Sequence, residues 1–214
     1  MRKLFAIACI ALVWGCQPSD KVVINGNDKA WVAKYSKGDG VDSNYLVVTQ
    51  QGQGCTFPFP QNGHINYLDR WAYTGNVRDA AGKKFMVLKF KIDGNAKFVP
   101  LDGANTGIHP YFEEGELLNG WWAALPYAVK PEDIINKGVQ TVKIPLTPES
   151  WGNVGGQNGA TSDDTKAQFA QAVKYMGHVG LTFGCYDGGC YGHGIKIKDG
   201  GNATFTLVSV TFTN

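Results

Sequence analysis

Phe85-Met86-Val87-Leu88-Lys89-Phe90-Lys91-Ile92 carries Met, Leu, Phe and Ile at every second position, with Lys89 and Lys91 between them. A period of two puts the four apolar side chains on one face of an extended strand and the lysines on the other. Val142, Ile144 and Leu146 repeat the pattern within 139–146. Val179, Leu181 and Phe183 do so again, with Gly180, Thr182 and Gly184 opposite. In 203–212 the apolar parity changes, from Phe205 and Leu207 to Val208, Val210 and Phe212, which predicts a bulge or bend near Leu207. Further strands are expected at 22–24, 30–35, 45–49, 71–73, 121–129 and 194–197. Many short strands joined by long connections, in a chain with 28 Gly and 6 Trp, predict an all-β fold. The expected form is a two-sheet antiparallel β-sandwich of jelly-roll type.

One helix interrupts this pattern. Thr161 or Ser162 can cap it, Asp163 and Asp164 fall in its first turn, and Gly177 can end it. Phe169, Ala172, Val173 and Met176 share one face, so a short helix is expected over 163–176, laid across a rim of the sandwich. Residues 131–136 offer one further turn.

The N-terminus reads differently. Arg2 and Lys3 precede an uncharged, largely apolar run of eleven residues, Leu4 to Trp14. As a helix such a run rises about 16 Å, short of the ~30 Å hydrocarbon core of a bilayer. Basic residues before so short a run make an export signal, not a membrane span. Val13-Trp14-Gly15-Cys16 closes the run and resembles the bacterial lipobox. That resemblance implies cleavage before Cys16 and a diacylglyceryl group on its sulfur. With Gln17 following, it implies the outer membrane of a Gram-negative bacterium. The expected organisation is a signal peptide at 1–15, a tether at 16–27 and a sandwich domain at 28–214, with the membrane touched through the lipid alone.

The 20 basic and 18 acidic residues become 18 and 18 once Arg2 and Lys3 leave with the signal. A formally neutral domain without a basic stripe argues against nucleic acid as a partner. Of five cysteines, Cys9 leaves and Cys16 takes lipid. In an oxidising compartment Cys185-Tyr-Asp-Gly-Gly-Cys190 is most simply a disulfide, with Cys55 left over. The alternative is zinc held by Cys185, Cys190 and His193.

Val179-Gly-Leu-Thr-Phe-Gly184, Tyr191-Gly-His-Gly-Ile195 and Gly200-Gly-Asn-Ala-Thr-Phe-Thr-Leu207 are similar to the closing strands of galactose-binding-like jelly rolls. Many bacterial carbohydrate-binding modules share that fold. Asn44-Tyr-Leu-Val-Val-Thr49 and Lys83-Lys-Phe-Met-Val-Leu88 resemble its early strands. The resemblance speaks to fold more than to function, because the fold hosts many roles. It also implies a structural calcium, for which Asp39, Asp42 and Asn44 offer oxygen ligands, although that stretch is first of all a turn.

Sugars present C–H faces to aromatic rings and hydroxyls to planar polar groups. Residues 105–127 interleave both kinds: His109, Tyr111, Glu113, Glu114, Glu116, Asn119, Trp121, Trp122 and Tyr127. Adjacent Trp121 and Trp122 point to opposite sides of a strand, so one is expected to be exposed. Trp71 and Tyr73 share a face beside Asp69 and Arg70, and Trp151 is a weaker candidate. These residues predict an exported carbohydrate-binding protein that recognises a polysaccharide or other glycan through exposed rings. The rivals are a glycan hydrolase or lyase of the same fold and a protein-binding adhesin. An enzyme predicts two carboxylates, or a Tyr/His pair, with shifted proton affinities.

Overall fold

The alternation at 85–92 becomes a strand in the middle of a sheet, and the rest of the fold is assembled around it. The computed structural model describes residues 21–25, 31–36, 46–49, 55–71, 80, 82–114, 120–187, 192–198 and 200–214. In chain order the strands are β1 (Lys21–Asn25), β2 (Trp31–Ser36), β3 (Leu46–Thr49), β4 (Cys55–Pro58) and β5 (His64–Trp71). Then come β6 (Phe85–Gly94), β7 (Phe98–Pro100), β8 (Thr106–Glu113), β9 (Trp121–Ala123) and β10 (Gln140–Pro145). The series closes with β11 (Gly152–Asn153), β12 (His178–Cys185), β13 (Ile195–Ile197) and β14 (Ala203–Thr213). Two helices, α1 (Pro131–Ile134) and α2 (Asp163–Lys174), interrupt the strands. The fold is the expected all-β sandwich of two antiparallel sheets. Among the described residues no helix is long and apolar enough to cross a membrane.

The first sheet runs β1-β14-β6-β10, with β4 also on β14. Strand β14 pairs with β6 along its whole length, while its other edge is shared. There β4 covers Thr204 to Leu207 and β1 covers Ser209 to Thr213. The register shifts between Leu207 and Ser209, where the expected bulge falls. Val208 is the extra residue and is 42% exposed, so Phe205, Leu207, Val210 and Phe212 all stay in the core. Strand β1 lies inside the stretch read as tether, so the folded part begins earlier than residue 28.

The second sheet runs β11-β9-β8-β12-β5-β13-β7, with β2 on β5 and β3 on β2. Its inner face meets the first sheet around Phe205, which stacks on Phe57 at 5.3 Å and Phe90 at 5.5 Å, with Phe183 edge-on at 5.9 Å. A second aromatic group lies under α2. Phe169 of that helix meets Trp122 at 5.3 Å and Phe112 at 5.8 Å, and Phe112 meets Trp151 at 4.7 Å. The helix starts as expected: the Ser162 hydroxyl accepts from the Thr165 N–H, and Thr165 answers the Ser162 N–H. It ends at Lys174 with Tyr175 as its cap, two residues before the glycine expected to stop it.

Three places need comment. The strand expected at 121–129 stops at Ala123, and Leu125–Tyr127 make a 3-10 turn. Pro126 has no N–H to give a ladder. Of the strand expected at 71–73, Trp71 closes the eight-residue strand β5, and residues 72–73 lie outside the described residues. Residues 106–113 form the central strand β8 in spite of Pro110. The Pro110 carbonyl accepts from Ala124 N–H on the β9 side. Its nitrogen points the same way, so the missing donor does not interrupt the ladder to β12.

Because Phe169 fastens α2 to three core rings, Phe169→Ala is expected to cost about 3–5 kcal/mol. Ser162→Ala loses only the cap, about 1 kcal/mol. Urea midpoints for both variants check this, and equal small losses would mean that the helix is not part of the core.

Candidate functional site

A sheet in a sandwich normally turns a hydrated face outward. The second sheet instead carries, on the face away from the core, a set of buried polar and aromatic side chains. Strand β8 supplies His109, Tyr111 and Glu113; β12 supplies His178 and Thr182; β5 supplies Tyr67 and Asp69; β2 supplies Lys34; β9 supplies Trp121. His109, Asp69 and Thr182 are fully buried, and Tyr111 and His178 nearly so. Tyr67 is half-buried.

Asp69 is the hub. Gly180 stands in register with Asp69 on one side and Tyr111 on the other. No side chain rises between them, and the Tyr111 hydroxyl reaches across β12 to donate to Asp69 Oδ1 at 2.6 Å. A Cβ at Gly180 would collide with the Leu68 carbonyl, so the gap is fixed by the backbone packing itself. Lys34 Nζ donates to Oδ2 at 2.7 Å from β2, with its side chain 24% exposed. His178 Nδ1 lies 3.2 Å from Oδ1 and 3.1 Å from Oδ2. An ionised carboxylate only accepts, so the His178 Nδ1–H is the donor.

The rings pack beside this hub. Tyr67 meets Tyr111 edge-on at 5.5 Å, Tyr111 stacks on Trp121 at 5.9 Å, and Lys34 Nζ sits 5.8 Å from the Tyr67 ring centre. Together Tyr111, Trp121 and Ala123 form an apolar cluster separate from the main core, with Tyr67 and Leu125 packed on it. On the same face Asn66 Nδ2 donates to the Gly192 carbonyl at 2.8 Å, and His109 Nε2 lies 2.9 Å from the Cys185 carbonyl. Gly192, at φ +74°, has no room for a side chain against the Tyr67 hydroxyl.

Burial moves the proton affinities apart. Burial alone would raise the Asp69 carboxyl, but the His178 hydrogen bond and the Lys34 charge outweigh it and hold Asp69 below the usual carboxylate range. Burial, followed by the Asp69 charge and hydrogen bond, pushes the Tyr111 phenol well above its ordinary value. Burial lowers the His109 imidazole, against the pull of carbonyls from Cys185 and Ala124. At neutral pH the face therefore holds a carboxylate, a protonated phenol and a neutral His109.

The residues read from sequence divide sharply. His109, Tyr111 and Trp121 come together on this face. Trp122 lies on the other face, in the main core, with Trp151. The expectation of an exposed ring is corrected: Trp121 is 7% exposed and Trp122 and Trp151 are fully buried. The two neighbours do point to opposite sides, but α2 covers Trp122 and Tyr111 covers Trp121. Trp71 ends β5 in register with His178. Tyr73, Asn119, Cys190, Cys16 and the calcium candidates Asp39, Asp42 and Asn44 lie outside the described residues. Cys185 is buried at the end of β12, and Cys55 is a buried thiol in the main core. His193 faces Asp102 at 3.3 Å. Among the described residues no three His, Cys, Asp or Glu side chains are grouped to hold a metal. Sequence reading missed Lys34, Tyr67 and His178 as partners, and Asp69 entered it only as a neighbour of Trp71. A scan against protein-family models, a search of curated proteins and a search of solved structures each found no match.

The buried imidazole gives a signed pH dependence. His109 takes a proton less readily folded than unfolded, so stability declines as pH falls through the ordinary histidine value of 6.5. Asp69, with its affinity lowered, adds a second loss as pH falls below the carboxylate value of 3.8. A urea midpoint that drops between neutral and mildly acidic pH, and drops less in His109→Gln, is expected. A flat midpoint across that range would contradict the burial of a neutral His109.

Proposed function

We propose that this is an exported, lipid-anchored carbohydrate-binding protein whose glycan is taken on the outer face of the second sheet. The observation that carries the reading is the separate cluster of Tyr67, Tyr111 and Trp121 beside hydrogen-bonding groups on one sheet face. Ring faces and planar polar groups together suit a sugar, and Tyr67 with Lys34 is the part that solvent reaches first. The charges of the face are already answered within it: Lys34 and His178 serve Asp69, and Glu113 stands beside His178 in register. Among the described residues of the hub the one lysine, Lys34, is already paired with Asp69, which favours a neutral glycan over a uronate or a sulfate. The lipobox resemblance supports attachment through Cys16 at the outer membrane, and export supports a Cys185–Cys190 disulfide.

Catalysis on the same glycan is the second reading. It is favoured by one observation, that Asp69 orients His178 and holds a protonated Tyr111 in the same cluster. New reducing ends or unsaturated sugars released from a bound polysaccharide would decide for it.

Isothermal titration of the protein with neutral and acidic polysaccharides tests the binding reading. Tyr67→Ala is expected to weaken neutral-glycan binding by about 1–3 kcal/mol, the scale of other ring-stacking contacts, while Tyr67→Phe keeps it. A parent protein that binds no neutral glycan, or a Tyr67→Ala variant that binds like the parent, contradicts the site.

A further inference from the structure

The chain that leads from Cys16 enters the fold at one defined end. Strand β1 begins at Lys21, five residues after Cys16. At most ~3.6 Å per residue, that leash reaches about 18 Å. Lys21 stands in register with Thr213, Thr213 with Phe85, and Phe85 with Pro145. These positions mark one end of the first sheet, across β1, β14, β6 and β10.

Lysine positions fall in or next to three strands at that end. Lys21 opens β1, and Lys83 and Lys84 lead into β6. The Lys84 N–H donates to the Thr213 carbonyl at 2.8 Å, and its own carbonyl accepts from Leu146 N–H at 2.8 Å. From β10 the Lys143 ammonium lies 3.8 Å from the centre of the Phe85 ring. Lys84 and Lys143 are exposed. Exposed Glu149, just past β10, sets one negative charge beside the exposed Lys84 and Lys143.

We infer that this end of the first sheet rests on a bilayer surface bearing anionic phospholipid headgroups, in the same membrane that takes the Cys16 lipid. The inference rests on the anchoring reading above, and two observations carry it: where the tether joins the fold, and the sign of the charge at that place. A lysine near an anionic surface strengthens attachment about fivefold. The effect acts within a Debye length, about 8 Å at physiological salt, and the short tether allows that approach. The lipid then fixes the membrane, and the lysines fix which end of the sandwich faces it.

The test uses the acylated chain that begins at Cys16, in vesicles of phosphatidylcholine alone and of phosphatidylcholine mixed with phosphatidylglycerol. Amine acetylation rates are read lysine by lysine by mass spectrometry. Lys84 and Lys143 are expected to react at least about fivefold more slowly on the anionic vesicles, with the difference lost near ~1 M salt. Lys97 and Lys137, exposed at the other end of the sheet, serve as controls and keep one rate on both. Equal rates for Lys84 and Lys143 on vesicles that carry acylated protein overturn this inference alone. An N-terminal peptide without diacylglyceryl mass overturns the anchoring reading itself.

Discussion

A single buried carboxylate sets the terms for the second sheet. Asp69 is fully enclosed and charged, and leaving such a charge without partners costs several kcal/mol. Its three donors come from three other strands: Lys34 from β2, Tyr111 from β8 and His178 from β12. Slipping any of these strands by one residue would send its donor to the opposite face and leave the carboxylate short. The register of four strands is thus tied to one side chain. Gly180 is the local condition for this arrangement, because only an absent side chain lets a phenol on β8 meet a carboxylate two strands away.

The same constraint divides the sheet into two chemistries. The inner face carries Leu68, Ile108, Phe112, Val179, Leu181 and Phe183 and closes the core against the first sheet. The outer face carries the hub and its rings, none of which is needed to fill that core. Enclosing so many titratable groups is an expensive way to cover a sheet, and hydrogen bonds to the hub offset part of that cost. A face built this way has its donors and rings held in place before any ligand arrives, which favours recognition over adaptation.

How far the sequence could be read follows from the same division. Strands with one apolar and one polar face, such as β6 and β10, announce themselves through a period of two. The bulge in β14 was legible because the apolar parity must change when one residue is added. The cap of α2 was legible because Ser162 and Thr165 act locally. Strands β5 and β8 were not legible, since both of their faces are buried and polar residues fall on both parities. His64-Ile-Asn-Tyr-Leu-Asp-Arg-Trp71 has no alternation to find, and Pro110 argues against a central strand until the direction of its nitrogen is known. At Trp121 and Trp122 local geometry was read correctly and exposure was not. Which side of a strand is covered depends on α2 and on Tyr111, neither of which the dipeptide can report. Of the hub, Tyr111 was picked out as an aromatic, while Lys34 and His178 are distant in sequence and carry no pattern of their own.

The glycan site proposed on the outer face of the second sheet, organised by Asp69, is open to one direct test. A titration of the isotopically labelled protein with a neutral oligosaccharide, followed by amide chemical shifts, addresses it directly. Binding at the proposed site is expected to cluster the shifts at Lys34, Tyr67, Asp69, Tyr111, His178 and Gly180. Shifts confined to the Lys89 and Thr141 face of the first sheet, or to the 152–159 loop, would contradict it.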